Sequence, residues 1–150
     1  MYVMTKEGVY VRMYGAVVSA IRSCIGRQAR CNHQWLADIL MASYQRDSGE
    51  MLSETSVGRW QTGARPVPMR IADYYATDSG RAAMRADITA HLIPVIIAPD
   101  TLMADIIQIM DQSTVDPTVR RQLLLRHPDM EGGDLATVLV DVLVYAMQCP

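Results

Sequence analysis

The chain has 150 residues, of which 50% are apolar and 20% charged, so it can bury a substantial core. Its longest apolar runs, such as residues 92–98, are far shorter than the roughly 20 residues of a membrane-spanning helix, and residues 1–12 lack the apolar stretch of a signal peptide. The three cysteines have no framework spacing, which is typical of free thiols. We therefore expect a cytoplasmic protein that does not contact membranes.

The net charge of −2 is unevenly distributed along the chain. Residues 1–86 contain eleven basic and seven acidic residues, a net of +4, whereas residues 87–150 contain three basic and nine acidic residues, a net of −6. The basic excess is densest where four arginines follow one another with no acid between them: Arg12, Arg22, Arg27 and Arg30. Such a run is typical of a phosphate-facing surface or, just as commonly, of a solvated helix face.

Apolar residues at three-to-four spacing predict a first helix from Tyr10 to Ile25, which Gly26 would close. Asn32 is a suitable N-cap for a second helix, whose apolar stripe runs from Trp35 toward Tyr44. Residues 45–49 are expected to form the loop that ends this helix.

A third helix is predicted from Ser53, with Gly63 placed to take the left-handed conformation that closes it. Two prolines make the segment from Ala64 to Pro68 an extended connector, and a fourth helix should start near Pro68. Its buried face is predicted to carry Ile71, Ala72 and Tyr75. The polar cluster from Asp78 to Gly80 is expected to be a turn.

In the second half, the helical pattern from Met84 to Ile96 should bend or end at Pro94. The next helix is predicted from Thr101 to Met110 with Asp100 as its cap, and another from Asp116 and Pro117 to about Arg126. The last helix begins near Asp134 and is apolar almost all round, so it is either central in the core or buried against a second subunit.

Alternating residues that would predict a strand are confined to the short region from Met1 to Val11. We therefore predict an all-α fold with one N-terminal strand. The sequence suggests two domains, residues 1–80 and residues 81–150, with the second forming a helical bundle that mediates dimerisation or holds a partner.

The run from Ser53 to Gly63 reads Ser-Glu-Thr-Ser-Val-Gly-Arg-Trp-Gln-Thr-Gly and is followed by Arg65-Pro66-Val67-Pro68. It resembles the recognition helix of the lambda-repressor-like (Cro-type, XRE) helix-turn-helix family. In that family the recognition helix ends in Arg-Trp-x-x-Gly and is followed by a basic, proline-containing connector. Upstream, residues 32–37 resemble the first helix of the motif. The resemblance covers roughly residues 10–77 and implies a helix-turn-helix bundle that is packed with, or followed by, the C-terminal helical bundle.

The resemblance implies that the third helix enters the major groove of double-stranded DNA. Small polar residues in its first turn can reach base edges, while Val57 and Trp60 face the core. Arg59 is the best candidate for a guanine or phosphate contact, and its alternative is an ion pair with Glu54 or Asp73. The predicted DNA-binding residues are Asn32, His33, Gln34, Ser53, Thr55, Ser56, Arg59, Arg65 and Arg70.

The link between the two motif helices departs from the family pattern. Residues 41–52 separate them, whereas the family uses about three or four residues. The link also brings Asp47, Glu50 and Glu54 toward the proposed DNA face, where carboxylates repel phosphate. The same combination is typical of a helix-turn-helix that has been reused to bind protein.

Catalytic and metal-binding patterns are weak in this sequence. Cys24, Cys31 and His33 lack a fourth ligand and the short paired spacing of zinc sites. His91 and His127 are isolated, and no serine or cysteine lies in a nucleophile-elbow context. We expect no metal, no cofactor and no enzymatic activity.

The leading hypothesis is a small DNA-binding transcriptional regulator of the bacterial or phage type, acting as a homodimer through its C-terminal helices. The alternative is a protein-interaction module that inhibits a host or mobile-element protein, as anti-CRISPR proteins do. The two hypotheses differ in whether the surface around the third helix is basic or acidic.

Overall fold

The computed structural model describes residues 2–4, 9–25, 32–112, 121 and 134–148. Its elements confirm an all-α fold with a small N-terminal hairpin. The strands are β1 (Tyr2–Met4) and β2 (Tyr10–Arg12). The α-helices are α1 (Met13–Ile25), α2 (His33–Leu40), α3 (Ala42–Ser48), α4 (Glu54–Gln61), α5 (Met69–Ala76), α6 (Asp78–Asp87), α7 (Pro99–Gln112) and α8 (Leu135–Gln148).

The hairpin confirms the strand predicted near the N-terminus. β1 and β2 are antiparallel, and Tyr2 lies opposite Arg12, Val3 opposite Val11 and Met4 opposite Tyr10. The predicted start of the first helix at Tyr10 is therefore wrong. The backbone of residues 10–12 pairs with β1, so α1 begins only at Met13.

Asn32 caps α2 as predicted, with its Oδ1 accepting a hydrogen bond from the backbone N–H of Trp35 at 2.7 Å. The predicted loop over residues 45–49 is wrong, because residues 42–48 form α3 and only Gly49, with a φ of 73°, ends it. The hydroxyl oxygen of Tyr75 accepts from the backbone N–H of Tyr44, at 3.3 Å. A residue of α5 thus satisfies one of the N–H groups that the start of α3 leaves without an intrahelical partner.

Ser53 caps α4 and Gly63 follows it with a φ of 81°, as the sequence predicts. The connector to α5 is non-helical, and α5 begins at Met69 directly after Pro68. The predicted buried face of α5 is confirmed, since Ile71, Ala72 and Tyr75 are all buried.

The second half of the chain requires two corrections. Residues 78–80 are not a turn but the first turn of α6, because the Oγ1 of Thr77 accepts from the N–H of Gly80 at 3.0 Å and caps the helix. Asp100 lies inside the first turn of α7, which begins at Pro99, and is not its cap. The interruption at Pro94 is confirmed, because α6 passes into a π-helical turn at Ile88–Leu92 and a 3₁₀ turn at Ile93–Val95.

Two predicted helix features fall outside the described residues. They are the closing role of Gly26 and, apart from Arg121, the helix expected from Asp116 to about Arg126.

The apolar surface of α8 is explained within the chain, because α8 packs against α1, α5 and α6 and its valines at 140 and 144 are buried. Arg81 of α6 forms an ion pair with Asp141 of α8 at 3.2 Å, and the Nε2 of Gln148 donates to the carbonyl of Ala72 at 2.9 Å. One hydrophobic cluster contains side chains from both predicted domains, so the two bundles are packed together. No helix in the described ranges is both long and apolar enough to cross a membrane.

Candidate nucleic-acid interface

α4 has one buried and one exposed side. Val57 and Trp60 point into the core, with exposed fractions of 0% and 7%. On the opposite side, Thr55, Arg59 and Thr62 are exposed at spacings of four and three residues, so they form one stripe along the helix. We call these three residues the α4 stripe. It presents hydroxyl and guanidinium groups to solvent on a helix that the core holds from behind.

The start of α2 fixes the middle of α4. The imidazole ring of His33 lies against Gly58, where an added Cβ would be 3.4 Å from the ring. The Nδ1 of His33 is 3.0 Å from the Oε1 of Gln61, so the imidazole N–H can donate to the amide oxygen. Gln61 is 97% buried, with an exposed fraction of 3%, and this pairing ties the two helices together beneath the surface.

The hairpin and α1 fix the other end of α4. The Nη1 of Arg12 donates to the carbonyl oxygens of Gly63 and Ala64, at 3.0 and 2.9 Å. These carbonyls follow a helix C-terminus, where a cation is electrostatically favourable. Arg12 is therefore committed to the protein itself, which differs from the phosphate-facing function suggested by the basic run in the sequence.

Arg59 and Arg65 are the two predicted arginines whose guanidinium groups have no partner among the described residues. Both side chains are exposed, and within the described ranges neither has an ion pair or a side-chain hydrogen bond. The alternative pairing of Arg59 with Glu54 or Asp73 does not occur in this structure. The backbone N–H of Arg65 donates to the carbonyl of Arg59 at 3.1 Å, which holds the connector close to the end of α4.

Arg70, in contrast, is already occupied by Glu50. Its Nε donates to Oε2 of that carboxylate at 3.0 Å and its Nη2 to Oε1 at 2.5 Å, a two-pronged pairing. The Tyr44 hydroxyl donates to the same carboxylate. The Arg70 hydrogen bonds, followed by that of Tyr44, lower the pKa of Glu50 to about 2.

The acids near the proposed DNA face are consequently less repulsive than the sequence suggests. Glu50 is neutralised by Arg70, and the carboxylate of Asp47 accepts a hydrogen bond from the Tyr74 hydroxyl at 2.5 Å. Glu54, in the first turn of α4, is exposed and has no ion pair in the described part of the chain. A hydroxyl donor does not neutralise a carboxylate, so Asp47 and Glu54 both remain as acids near the proposed DNA face.

Most of the remaining predicted site residues have an intramolecular hydrogen-bond partner. Asn32 caps α2, and the Nε2 of Gln34 donates to Asp38 at 2.9 Å. The hydroxyls of Ser53 and Ser56 are 2.9 Å apart and belong to the cap of α4, although Ser53 is also exposed. Of the nine predicted residues, Thr55, Arg59 and Arg65 are exposed with no intramolecular side-chain partner among the described residues.

Sequence reasoning missed Thr62, which completes the α4 stripe. Its spacing of seven residues from Thr55 places it on the same helix face, so the signal was present in the sequence. It also missed the function of Arg12, because a hydrogen bond across more than fifty residues leaves no local pattern.

The long link between the motif helices is largely helical in the structure. α3 occupies residues 42–48, and the non-helical residues of the link are Met41, which separates α2 from α3, and residues 49–52. The turn between α3 and α4 is therefore four residues long, but α3 still separates α2 from α4, so the departure from the family's short link remains. α2 packs directly against α4.

A separate groove of about 530 Å³ lies between the hairpin, α1 and α7. Ser19, Asp105 and Gln108 are among its polar residues, while Val11 and Ile109 contribute apolar surface.

Burial raises the pKa of the Cys24 thiol, which is free. No group of three potential metal ligands occurs within the described ranges, and Cys31, from the cysteine and histidine cluster noted in the sequence, lies outside them.

The chain matches no protein-family model, no curated protein and no solved structure.

Proposed function

We propose that this protein is a DNA-binding transcriptional regulator that reads duplex DNA with α4. The observation that carries the proposal is the pair of exposed arginines, Arg59 and Arg65, which have no carboxylate partner in the described residues. A free guanidinium beside exposed hydroxyls is the chemistry that recognises phosphates and guanine edges.

The fit of α4 to DNA follows from its dimensions and side chains. A major groove about 12 Å wide admits one α-helix, and the small residues Ser53 and Thr55 allow the first turn to approach the bases. Arg59 lies one turn further along the same side, within reach of a base edge or the adjacent phosphate. Arg65, on the connector, is suited to the flanking phosphate backbone.

The residues behind α4 make this surface rigid. His33 and Gln61 join α2 to α4, while Arg12 holds the carbonyls after its C-terminal end. A recognition helix that is held along its C-terminal half loses little conformational freedom on binding, so more of the contact energy appears as affinity. In this proposal His33 acts by positioning α4, while Asn32 caps the helix that carries His33.

The competing function is binding of a protein partner by the same helices. It would be favoured by an acidic surface around α4, but Asp47 and Glu50 are engaged by Tyr74 and Arg70. On α4 and the connector, the charged groups that lack an ion pair among the described residues are Arg59, Arg65 and Glu54. These charges favour a polyanionic partner over a partner protein with a basic surface.

A homodimer on a two-fold operator remains part of the proposal, but its interface needs a surface other than the apolar faces of α8. Those faces are buried within the chain. Light scattering of the free protein and of its DNA complex would give the stoichiometry in each state.

The proposal is tested by selecting sequences from a random duplex pool and measuring affinity for the selected and scrambled duplexes over a range of salt concentrations. The expected result is a preference for the selected sequence and an affinity that falls as salt rises, because phosphate contacts release counterions. Absence of duplex binding at low salt would refute the proposal.

A further inference from the structure

The hairpin exposes large apolar side chains on one face. Tyr2, Met4 and Tyr10 are 46%, 43% and 63% exposed, while Val3, on the other face, is 2% exposed. The register puts Met4 opposite Tyr10 and Tyr2 opposite Arg12, so these four side chains leave the same side of the sheet. We call Tyr2, Met4 and Tyr10 the hairpin face. A contiguous exposed apolar cluster of this kind is typical of an interaction surface.

The hairpin face is continuous with the surface around α4. The guanidinium of Arg12 lies 5.3 Å from the centre of the Tyr2 ring and also donates to the Ala64 carbonyl at 2.9 Å. Ala64 is followed by Arg65. A single guanidinium thus connects the aromatic face to the connector that carries the free arginine.

The backbones also meet at this point. A Cβ on Gly63 would lie 2.9 Å from the backbone nitrogen of Arg12 and 3.1 Å from the Cβ of Val11. β2 therefore abuts the residue that ends α4, and the hairpin cannot move independently of that helix end.

The charges of this combined surface favour a polyanion as its partner. The described residues of the hairpin include no acid, and Arg59 and Arg65, on the adjoining α4 and connector, have no carboxylate partner in the described ranges. Tyrosine is suited to a sugar–phosphate chain, because its hydroxyl donates to phosphate oxygens while its ring packs on the sugar. A second copy of the hairpin face would cover the apolar rings but would bring two sets of unpaired arginines together.

We propose that the hairpin face contacts the sugar–phosphate backbone of duplex DNA beside the groove that α4 enters. Tyr10 and Tyr2 donate hydrogen bonds to phosphate oxygens, and their rings cover the adjacent deoxyribose. This inference rests on the proposed function, since it extends the interface of α4 along the same DNA.

The test compares Tyr10→Phe, Tyr10→Ala and Tyr2→Phe with Met69→Ala, which removes a 75% exposed apolar side chain from α5. Loss of one phosphate hydrogen bond predicts a loss of affinity for the selected duplex of about three- to tenfold for each Phe variant. Tyr10→Ala should lose more, and Met69→Ala should bind like the wild type. Hydroxyl-radical footprinting should show that Tyr10→Ala loses protection at one flank of the site only. Urea unfolding of each variant checks that the hairpin remains folded.

The outcomes separate this inference from the proposed function. If the wild type binds duplex DNA but Tyr10→Ala and the Phe variants match Met69→Ala, the hairpin inference is wrong while α4 recognition stands. If the wild type binds no duplex, both fail. Tighter binding to single strands than to duplex, or a drop in molecular mass on Tyr10→Ala in light scattering, would overturn the inference in favour of base stacking or a second copy.

Discussion

Gly15 of α1 lies directly against Gly63, the residue that ends α4. A Cβ on Gly15 would be 2.4 Å from the Gly63 nitrogen and 2.6 Å from its Cα, which no real Cβ tolerates. Both atoms belong to the backbone, so neither can rotate away. The position of α4, and with it the α4 stripe, thus depends on the absence of a side chain at residue 15.

Gly15→Ala should destabilise the fold. An extra methyl group against backbone forces α1 and the end of α4 apart, which typically costs about 1–3 kcal/mol. The expected result is a lower urea midpoint, together with weaker DNA binding because α4 is displaced. Wild-type stability would contradict the close approach of the two glycines.

Gly58→Ala is the matched control on α4, and it should stabilise the protein. The nearest atom to its new Cβ would be the Cδ2 of His33 at 3.4 Å, an ordinary contact. Replacing a glycine within a helix by alanine then gains about 0.5–1 kcal/mol. A rise in the urea midpoint checks this, whereas a clear fall would mean that His33 packs more tightly on α4 than the structure shows.

Tyr75→Phe should destabilise the protein even though it adds no bulk. The Tyr75 hydroxyl accepts hydrogen bonds from the Ser43 hydroxyl at 3.2 Å and from the backbone N–H of Tyr44. The variant leaves both donors buried and unpaired, at a cost of about 1–3 kcal/mol. Amide hydrogen exchange at residue 44 should accelerate. Tyr10→Phe, on the exposed hairpin face, serves as the control and should leave the urea midpoint unchanged.

Part of the acid sensitivity of the fold should come from Glu50. Its pKa falls from an ordinary 4.5 to about 2, chiefly through its hydrogen bonds with Arg70. Because the folded value is the lower one, the stabilisation is fully present above pH 4.5 and is lost as the pH falls toward 2. Glu50→Gln should therefore lose less stability than the wild type between pH 6 and pH 3.

Urea unfolding at the two pH values measures this difference. Glu54→Gln removes an exposed carboxylate that has no ion pair in the described residues, so it should behave like the wild type. Equal acid sensitivity of Glu50→Gln and the wild type would contradict a stabilising contact between Glu50 and Arg70.

The local signals of the sequence predicted most of the helices. Caps such as Asn32 and Ser53, and the left-handed Gly63, act through neighbouring residues and can therefore be recognised in the sequence. The errors occurred where distant contacts decide the structure. Tyr10 pairs with β1 and therefore does not belong to the first helix. Tyr75 satisfies an N–H at the start of α3, a helix that includes residues predicted to be a loop.

The candidate site was predictable in its composition but not in the availability of its side chains. The spacing of α4 predicts that Val57 and Trp60 are buried while Thr55 and Arg59 are exposed, and the structure agrees. Helix spacing could not predict that Arg70 pairs with Glu50 or that His33 pairs with Gln61, because those partners lie on other elements of the chain. Only the folded chain distinguishes the free arginines from the paired ones.

The most direct test of DNA recognition by α4 is the salt-dependent affinity of Arg59→Ala for the selected duplex, compared with Arg46→Ala. Arg46 is also an exposed arginine, on α3, and its side chain pairs with Asp87 at 3.5 Å. Loss of a free recognition arginine predicts that Arg59→Ala binds about 1–3 kcal/mol more weakly, while Arg46→Ala retains wild-type affinity. Equal affinity of Arg59→Ala, Arg46→Ala and the wild type at every salt concentration would contradict the account.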